Sequence, residues 1–194
     1  MPSSFYKDVE FGNRVEVAWM NYMSERTKRV YEQSHGRVPG WDIVDRENDV
    51  YFEVKWDTKS CAVWSMYGEE RKPTGNLFIE YTNPTKKVDT GIKVSISKFW
   101  VYVVKHSPDL LVDEDRIGEY QAHAHLFDKA KLLDFCESGN LRTRDTKRDV
   151  EKGDSANARG WLLPWSNVNE AKKESGHLAV YDISAYLSLP SLIE

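Results

Sequence analysis

The sequence predicts one α/β (α+β) domain, with a central mixed sheet of about four or five strands flanked by helices. Three observations predict it. A long segment near the N-terminus carries Val15, Ala18, Trp19, Tyr22 and Met23 at helical spacing. Three short runs, at 50–56, 76–81 and 99–104, are rich in β-branched and aromatic residues. The chain of 194 residues is 40% hydrophobic and 12% aromatic, enough for one domain with its own core.

Taken in order, residues 8–33 read as a helix, broken by the Gly36 to Gly40 stretch with Pro39. Residues 41–45 and 50–56 then read as two strands joined through Arg46-Glu-Asn-Asp49, with Asn48-Asp49 a plausible turn, a hairpin. A polar linker with Pro73 and Gly75 leads to the strand at 76–81, and Pro84 to Asp89 is a loop. Residues 94–97 fit no one pattern, whereas 99–104 read as a buried strand. Residues 126–138 read as a helix that ends before Gly139. The charged, poorly patterned segment at about 140–160 is expected to be flexible, and residues 161–164 to pack back on the body. The whole of 1–194 is expected to form a single domain.

Composition narrows the function classes. No apolar run approaches the roughly 18 residues of a membrane span, and no signal peptide opens the chain. Two cysteines, Cys61 and Cys136, do not make a disulfide framework, so a reducing cytoplasm is the expected home. The net charge of −4 gives no global signal for a polyanionic partner. It weakens a nucleic-acid reading without removing it, because basic groups can act locally and carboxylates that hold a metal lower the total.

The hairpin carries the chemistry. Side chains alternate along a strand, so Tyr51, Glu53, Lys55 and Asp57 share one face and Val50, Phe52, Val54 and Trp56 the other. Glu53 and Lys55 then project together, about 7 Å apart. With Glu47-Asn48 as the turn, paired residue numbers sum to 95 and Asp42 faces Glu53. With Asn48-Asp49 as the turn, the sum is 97 and Asp42 faces Lys55. Either register gathers Asp42, Glu53 and Lys55 on one patch, and a slip of one residue disperses them. Two carboxylates are hard oxygen ligands for Mg²⁺, whose bound water becomes a nucleophile. The lysine either orients that water or stabilises the transition state. The bland alternative is a solvated same-face ion pair, the usual meaning of Glu-x-Lys on a strand.

The ordered set Pro39-Gly-Trp-Asp42 and Phe52-Glu-Val-Lys55 resembles the PD-(D/E)XK nuclease signature. Downstream, Thr74-Gly-Asn-Leu-Phe-Ile-Glu80, Thr90-Gly-Ile92, Ser97-Lys-Phe-Trp-Val-Tyr102, Glu151-Lys-Gly-Asp154 and Gly160-Trp-Leu-Leu-Pro-Trp165 are similar to phage and bacterial members in the style of Holliday-junction resolvases. Gly40 and Trp41 separate the proline from Asp42, a departure from the literal Pro-Asp pair. The resemblance, over about residues 8–168, implies a restriction-endonuclease-like core and metal-dependent hydrolysis of DNA phosphodiesters, leaving a 5′-phosphate and a 3′-hydroxyl. It implies Asp42, Glu53 and the Val54 carbonyl as metal ligands, Lys55 as the catalytic lysine, and a helix carboxylate, Glu16 in preference to Glu10. It implies Mg²⁺ as cofactor, with Mn²⁺ able to substitute, and branched or duplex DNA as partner, with a homodimer for a resolvase. Glu80 is expected beside this centre as a supporting or substrate-proximal carboxylate, the alternative being an edge-strand surface residue. The rival readings are a nucleic-acid-binding or inhibitory module without catalysis on the same fold, and a restriction-type, sequence-specific endonuclease.

Other signals are weaker. Arg142, Arg144, Lys147, Arg148 and Lys152 are expected to contact phosphates, and Lys59, Arg71, Lys72, Lys86, Lys87 and Lys98 to extend that surface. The alternative is a solvated loop. His123 and His125 with Asp128 suggest a metal only superficially, because zinc needs four ligands. No Gly-x-x-x-x-Gly-Lys loop is present. Trp56 and Trp64 are candidates for stacking on a nucleotide, though tryptophans are core residues by default.

Overall fold

The structure, a computed structural model, describes residues 4–34, 40–57, 60, 73–104, 122–146 and 158–187, with the side chains of the first helix from Gly12 onward. Helix α1 (Ser4–Thr27) is followed by β1 (Tyr31–Gln33), β2 (Ile43–Asp45), β3 (Val50–Asp57), β4 (Asn76–Asn83), β5 (Val88–Asp89) and a 3-10 turn at Gly91–Lys93. Then come β6 (Phe99–Val104), β7 (His123–Asp128), α2 (Lys129–Ser138), β8 (Arg142–Thr146), β9 (Ala158–Pro164), α3 (Trp165–Glu170), β10 (His177–Asp182) and α4 (Ser184–Leu187).

The main sheet has six strands in the order β1-β2-β3-β6-β7-β10, and a second sheet has four in the order β5-β4-β9-β8. The first is mixed, because β3 pairs parallel to β6 while its other pairs are antiparallel. The mixed α and β character expected from sequence is therefore present. The expected count of four or five strands is too low. Three of its strands escaped the pattern: β1 has only three residues, β7 ends where a helix was expected to begin, and β10 carries the weak alternation His-Leu-Ala-Val-Tyr-Asp, while the strand expected at 76–81 belongs to the second sheet.

Other boundaries differ for local reasons. The helix expected over 8–33 ends at Thr27, where Lys28 turns to a positive φ of 59°. Tyr31 then leaves helical geometry to pair with Asp45 and bury its ring against Phe52. The helix expected from 126 begins at Lys129, because Leu126, Phe127 and Asp128 complete β7 against β6. Asp128 caps α2 by accepting a hydrogen bond from the Lys131 N–H at 3.0 Å. The segment expected to be flexible contains strands at both its ends, β8 and β9, paired antiparallel. The residues between them lie outside the described ones.

The apolar residues sort into two clusters on opposite faces of the main sheet. Val15, Ala18 and Trp19 of α1 cover Phe52, Val54, Val101 and Val103. Trp100, Tyr102 and Phe127 face the other way, onto Leu77, Ile79 and Leu163 of the second sheet and Leu132 and Cys136 of α2. This double burial is why β6 reads as an unbroken apolar run. The Tyr102 hydroxyl ties the sheets together by donating to the Phe78 carbonyl at 3.2 Å. Among the described residues, no helix is long and apolar enough to cross a membrane.

Candidate active site

The hairpin adopts the register whose pair numbers sum to 95: Ile43 opposite Phe52, Val44 opposite Tyr51, Asp45 opposite Val50. Buried Asp45 holds the turn, accepting from the Asn48 N–H at 3.2 Å and its amide at 2.8 Å, with Arg29 at 3.4 Å. Asp42 stands just before β2. Its Oδ2 accepts from the Val54 N–H at 2.7 Å, closing the gap where β2 is too short to pair. A strand residue's N–H and C=O point to the same side. The Val54 carbonyl therefore lies on the strand edge that faces Asp42.

On the next residues, Lys55 hydrogen-bonds to Glu53 and lies 3.9 Å from Asp42 Oδ2. Glu16, from α1, accepts from the Gln33 amide at 2.7 Å and lies within electrostatic reach of Lys55, Asp42 and Glu53. Burial drives the Asp42 carboxyl up to about 7. Lys55 and the Val54 N–H oppose that rise, while the Glu53 and Glu16 charges add to it. Burial also raises Glu16, against the pull of Gln33 and Lys55. For Lys55, burial works against the ammonium, but Glu53, Asp42 and Glu16 together outweigh it and the net shift is upward. The site thus holds three carboxylates around one cation, a charge surplus that favours a further cation.

A clamp fixes the approach to Asp42. The Gly40 carbonyl accepts from Ser95 Oγ at 2.7 Å, Ser97 Oγ at 2.9 Å and the Ile96 N–H at 3.1 Å. Gly40 has φ of +99°, and a Cβ there would meet the Ile96 nitrogen at 3.0 Å, so glycine suits both the turn and the close approach. Ser95 Oγ also reaches Glu53 Oε2 at 3.4 Å.

Glu53 and Lys55 form one wall of a cavity of about 760 Å³ between the two sheets. Trp100 and Tyr102 lie on the same side. The opposite wall belongs to the second sheet, with Phe78, Glu80 and Leu162. Glu80 and Arg144 both pair with Gly160, leaving a gap between them. The Phe78 ring fills that gap, since a Cβ on Gly160 would come within 2.6 Å of it.

The structure therefore brings together Asp42, Glu53, Lys55 and Glu16, with Glu80 and Arg144 across the cavity. Arg142 lies on the same exposed strand, β8. Lys147, Arg148 and Lys152 lie outside the described residues, as do Lys59, Arg71, Lys72, Cys61, Trp64 and the side chain of Glu10. Lys86 and Lys87 are exposed at the turn before β5, and Lys98 sits over the Phe99 ring at 5.5 Å. His123 and His125 lie on β7, where His125 Nδ1 meets His177 Nε2 at 3.2 Å.

Among the described residues, no three His, Cys, Asp or Glu side chains form a group able to hold a metal ion. Mg²⁺ does not require one, since one or two carboxylates, waters and a substrate phosphate complete its shell. The hard oxygens of Asp42, Glu53 and the Val54 carbonyl fit that requirement. No protein-family model matches the chain, and no curated protein or solved structure does either.

Sequence reasoning missed Gln33 and the Ser95–Ser97 clamp. Their roles depend on contacts 17 residues (Gln33 to Glu16) and 55 and 57 residues (Ser95 and Ser97 to Gly40) away in the chain. The only local hint was the alternation Ser95-Ile-Ser97, which puts both hydroxyls on one side.

Proposed function

We propose that this protein is a metal-dependent DNA nuclease of the PD-(D/E)XK type. The observation that carries the reading is the convergence of Asp42 with Glu53 and Lys55, which line the cavity, with Asp42 anchored on the Val54 N–H. The signature resemblance and this geometry support each other, because the observed register is one of the two that gather the three side chains.

Asp42 and Glu53, with the Val54 carbonyl, would hold Mg²⁺, and Mn²⁺ can substitute. The bound ion supplies an activated water and neutralises charge that develops on the phosphate. Lys55, paired to two carboxylates, stays an ammonium and stabilises the phosphorane oxygens by donating to them, an electrostatic role. Glu16 holds Gln33 and adds negative charge behind Asp42, which favours occupancy by a cation. Arg144 is placed to meet a phosphate from the opposite wall.

The test is cleavage of labelled single-strand, duplex, flap and four-way-junction DNA with Mg²⁺, Mn²⁺ or EDTA, with Lys55→Ala beside the parent. We expect metal-dependent cutting that drops by about 10²- to 10³-fold or more in the variant, the usual cost of removing one transition-state donor. The variant should keep its far-UV circular dichroism. Full activity in Lys55→Ala sinks the assignment, and no cutting of any DNA or RNA shifts the reading to a binding module without catalysis.

A further inference from the structure

We propose that the cavity between the sheets takes a single unpaired nucleic-acid strand, one or two nucleotides at a time. Val94 and Ile96 would part paired strands beside it. The inference rests on the nuclease reading above. The reactive side chains line a half-open cleft of about 760 Å³, with side chains of the second sheet on its far side. That is the size of a pocket for a small molecule, about 300–1,000 Å³. A nucleotide or two fits such a space, whereas a duplex, with a major groove alone about 12 Å wide, does not.

The far wall has the chemistry of a base-and-phosphate track. Phe78 pairs with Leu162 to give an apolar step, and the next row presents Glu80 and Arg144 on either side of Gly160. Apolar and aromatic surface opposite phosphate-cleaving groups suits bases that have left the stack. The acidic lining, Glu53, Asp57, Glu80 and Asp145 against Lys55 and Arg144, repels a bare polyanion. Strand entry should therefore depend on a divalent cation.

The loop that reaches from Gly91, in the cavity lining, to Ser95, beside Glu53, carries two apolar side chains outward. Val94 is 51% exposed and Ile96 63% exposed. The buried serines on either side of Ile96 pin this loop to Gly40, so the apolar pair is held rigidly. Rigid apolar groups presented next to a strand-cleaving centre act as wedges between base steps.

The experiment compares a labelled single strand, a duplex with a splayed end and a blunt duplex, as DNA and as RNA, with Mg²⁺. Parent, Phe78→Ala, Phe78→Leu, Arg144→Gln and the double variant Val94→Ser/Ile96→Ser are run together. Single strand or splayed ends, of DNA or RNA, should be cut about tenfold or more faster than blunt duplex. Phe78→Ala should raise KM on single strand by about tenfold, the scale of one lost stacking contact, with Phe78→Leu between it and the parent. Arg144→Gln should raise KM too. The wedge variant should lose more rate on blunt duplex than on single strand. Blunt duplex cut as fast as single strand, with loss in Lys55→Ala, overturns this proposal and leaves the nuclease standing. A single-strand KM unchanged by both Phe78→Ala and Arg144→Gln also overturns it. No cleavage of any substrate overturns both readings.

Discussion

The two walls of the cavity use charge in opposite ways. On the hairpin side, Glu53 is 12% exposed and Asp42, beside it, 22%, and each carboxylate is held by a backbone N–H, a serine or Lys55. On the far side, Asp145 of the lining forms a two-point ion pair with Arg159, at 2.6 and 3.0 Å, with both side chains more than two-fifths exposed. Water screens the second pair, so its charges cost the fold little and contribute little. The hairpin carboxylates are largely withdrawn from water and crowded with like charge, although Lys55 is 40% exposed, so they cost the fold something. On the nuclease reading proposed above, chemistry would sit on the side that is electrostatically strained, and contact with substrate would fall to the side that is not.

Asp42→Asn gives the largest effect expected from this contrast. The amide oxygen still accepts from the Val54 N–H, but the charge is gone. We expect activity to fall by at least about 10²-fold, as for a lost transition-state contact. We also expect the metal-free variant to melt several degrees higher than the parent at pH 8, since about 1 kcal/mol moves Tm by about 2–4 °C in a chain of this size. The sign follows from the raised carboxyl. Its protonated form is favoured by the fold, so that stabilisation is present in acid and is lost as pH rises through about 7. The gap between variant and parent should therefore shrink as pH falls from 8 towards 4. Mg²⁺ should raise the parent's Tm and leave the variant's unchanged. Calorimetry at three pH values checks both, and a variant less stable at pH 8 refutes the strain argument.

How much of this was legible in the sequence depends on the range of the forces involved. Strand alternation is local, so the shared face of Glu53 and Lys55 could be read directly, and the turn limited the position of Asp42 to two registers. The choice between them was made by Asp45, whose carboxylate grips Asn48 and draws in Arg29. The α1 stripe was legible because burial follows its period: Val15, Ala18 and Trp19 are buried. Its end was not, because Tyr31 left the helix for a strand partner 14 residues away. The second sheet was hidden for a related reason. β8 reads Arg-Thr-Arg-Asp-Thr and lies exposed along its length, so no apolar pattern marks it; pairing with β9 alone makes it a strand.

The second cluster holds a different strained group, His125, and its response to pH should be opposite. Burial pulls its imidazole down to about 3, with the His177, His123 and Lys172 charges pushing the same way. His125 Nε2 is buried without a hydrogen-bond partner. Because the folded value lies below the ordinary value of about 6.5, the unfolded chain binds the proton better. Stability is whole above about pH 6.5 and falls as pH drops towards 3. Tm should fall on that acid limb, and His125→Leu should flatten it. An acid limb of equal slope in the variant assigns the loss elsewhere.

Asp145→Ala should have the smallest effect, and it sharpens the contrast from the quiet side. The pair looks strong by distance, yet both partners stand in water, where the freed Arg159 is solvated at once. We expect no measurable change in Tm at 150 mM salt. Arg159 would then be free to meet a phosphate, so strand binding should tighten slightly at low salt and return to the parent's value as salt rises. A Tm loss comparable to that of a core truncation would show that β8 depends on this pair to stay in the second sheet. The far wall would then be as rigidly specified as the hairpin wall.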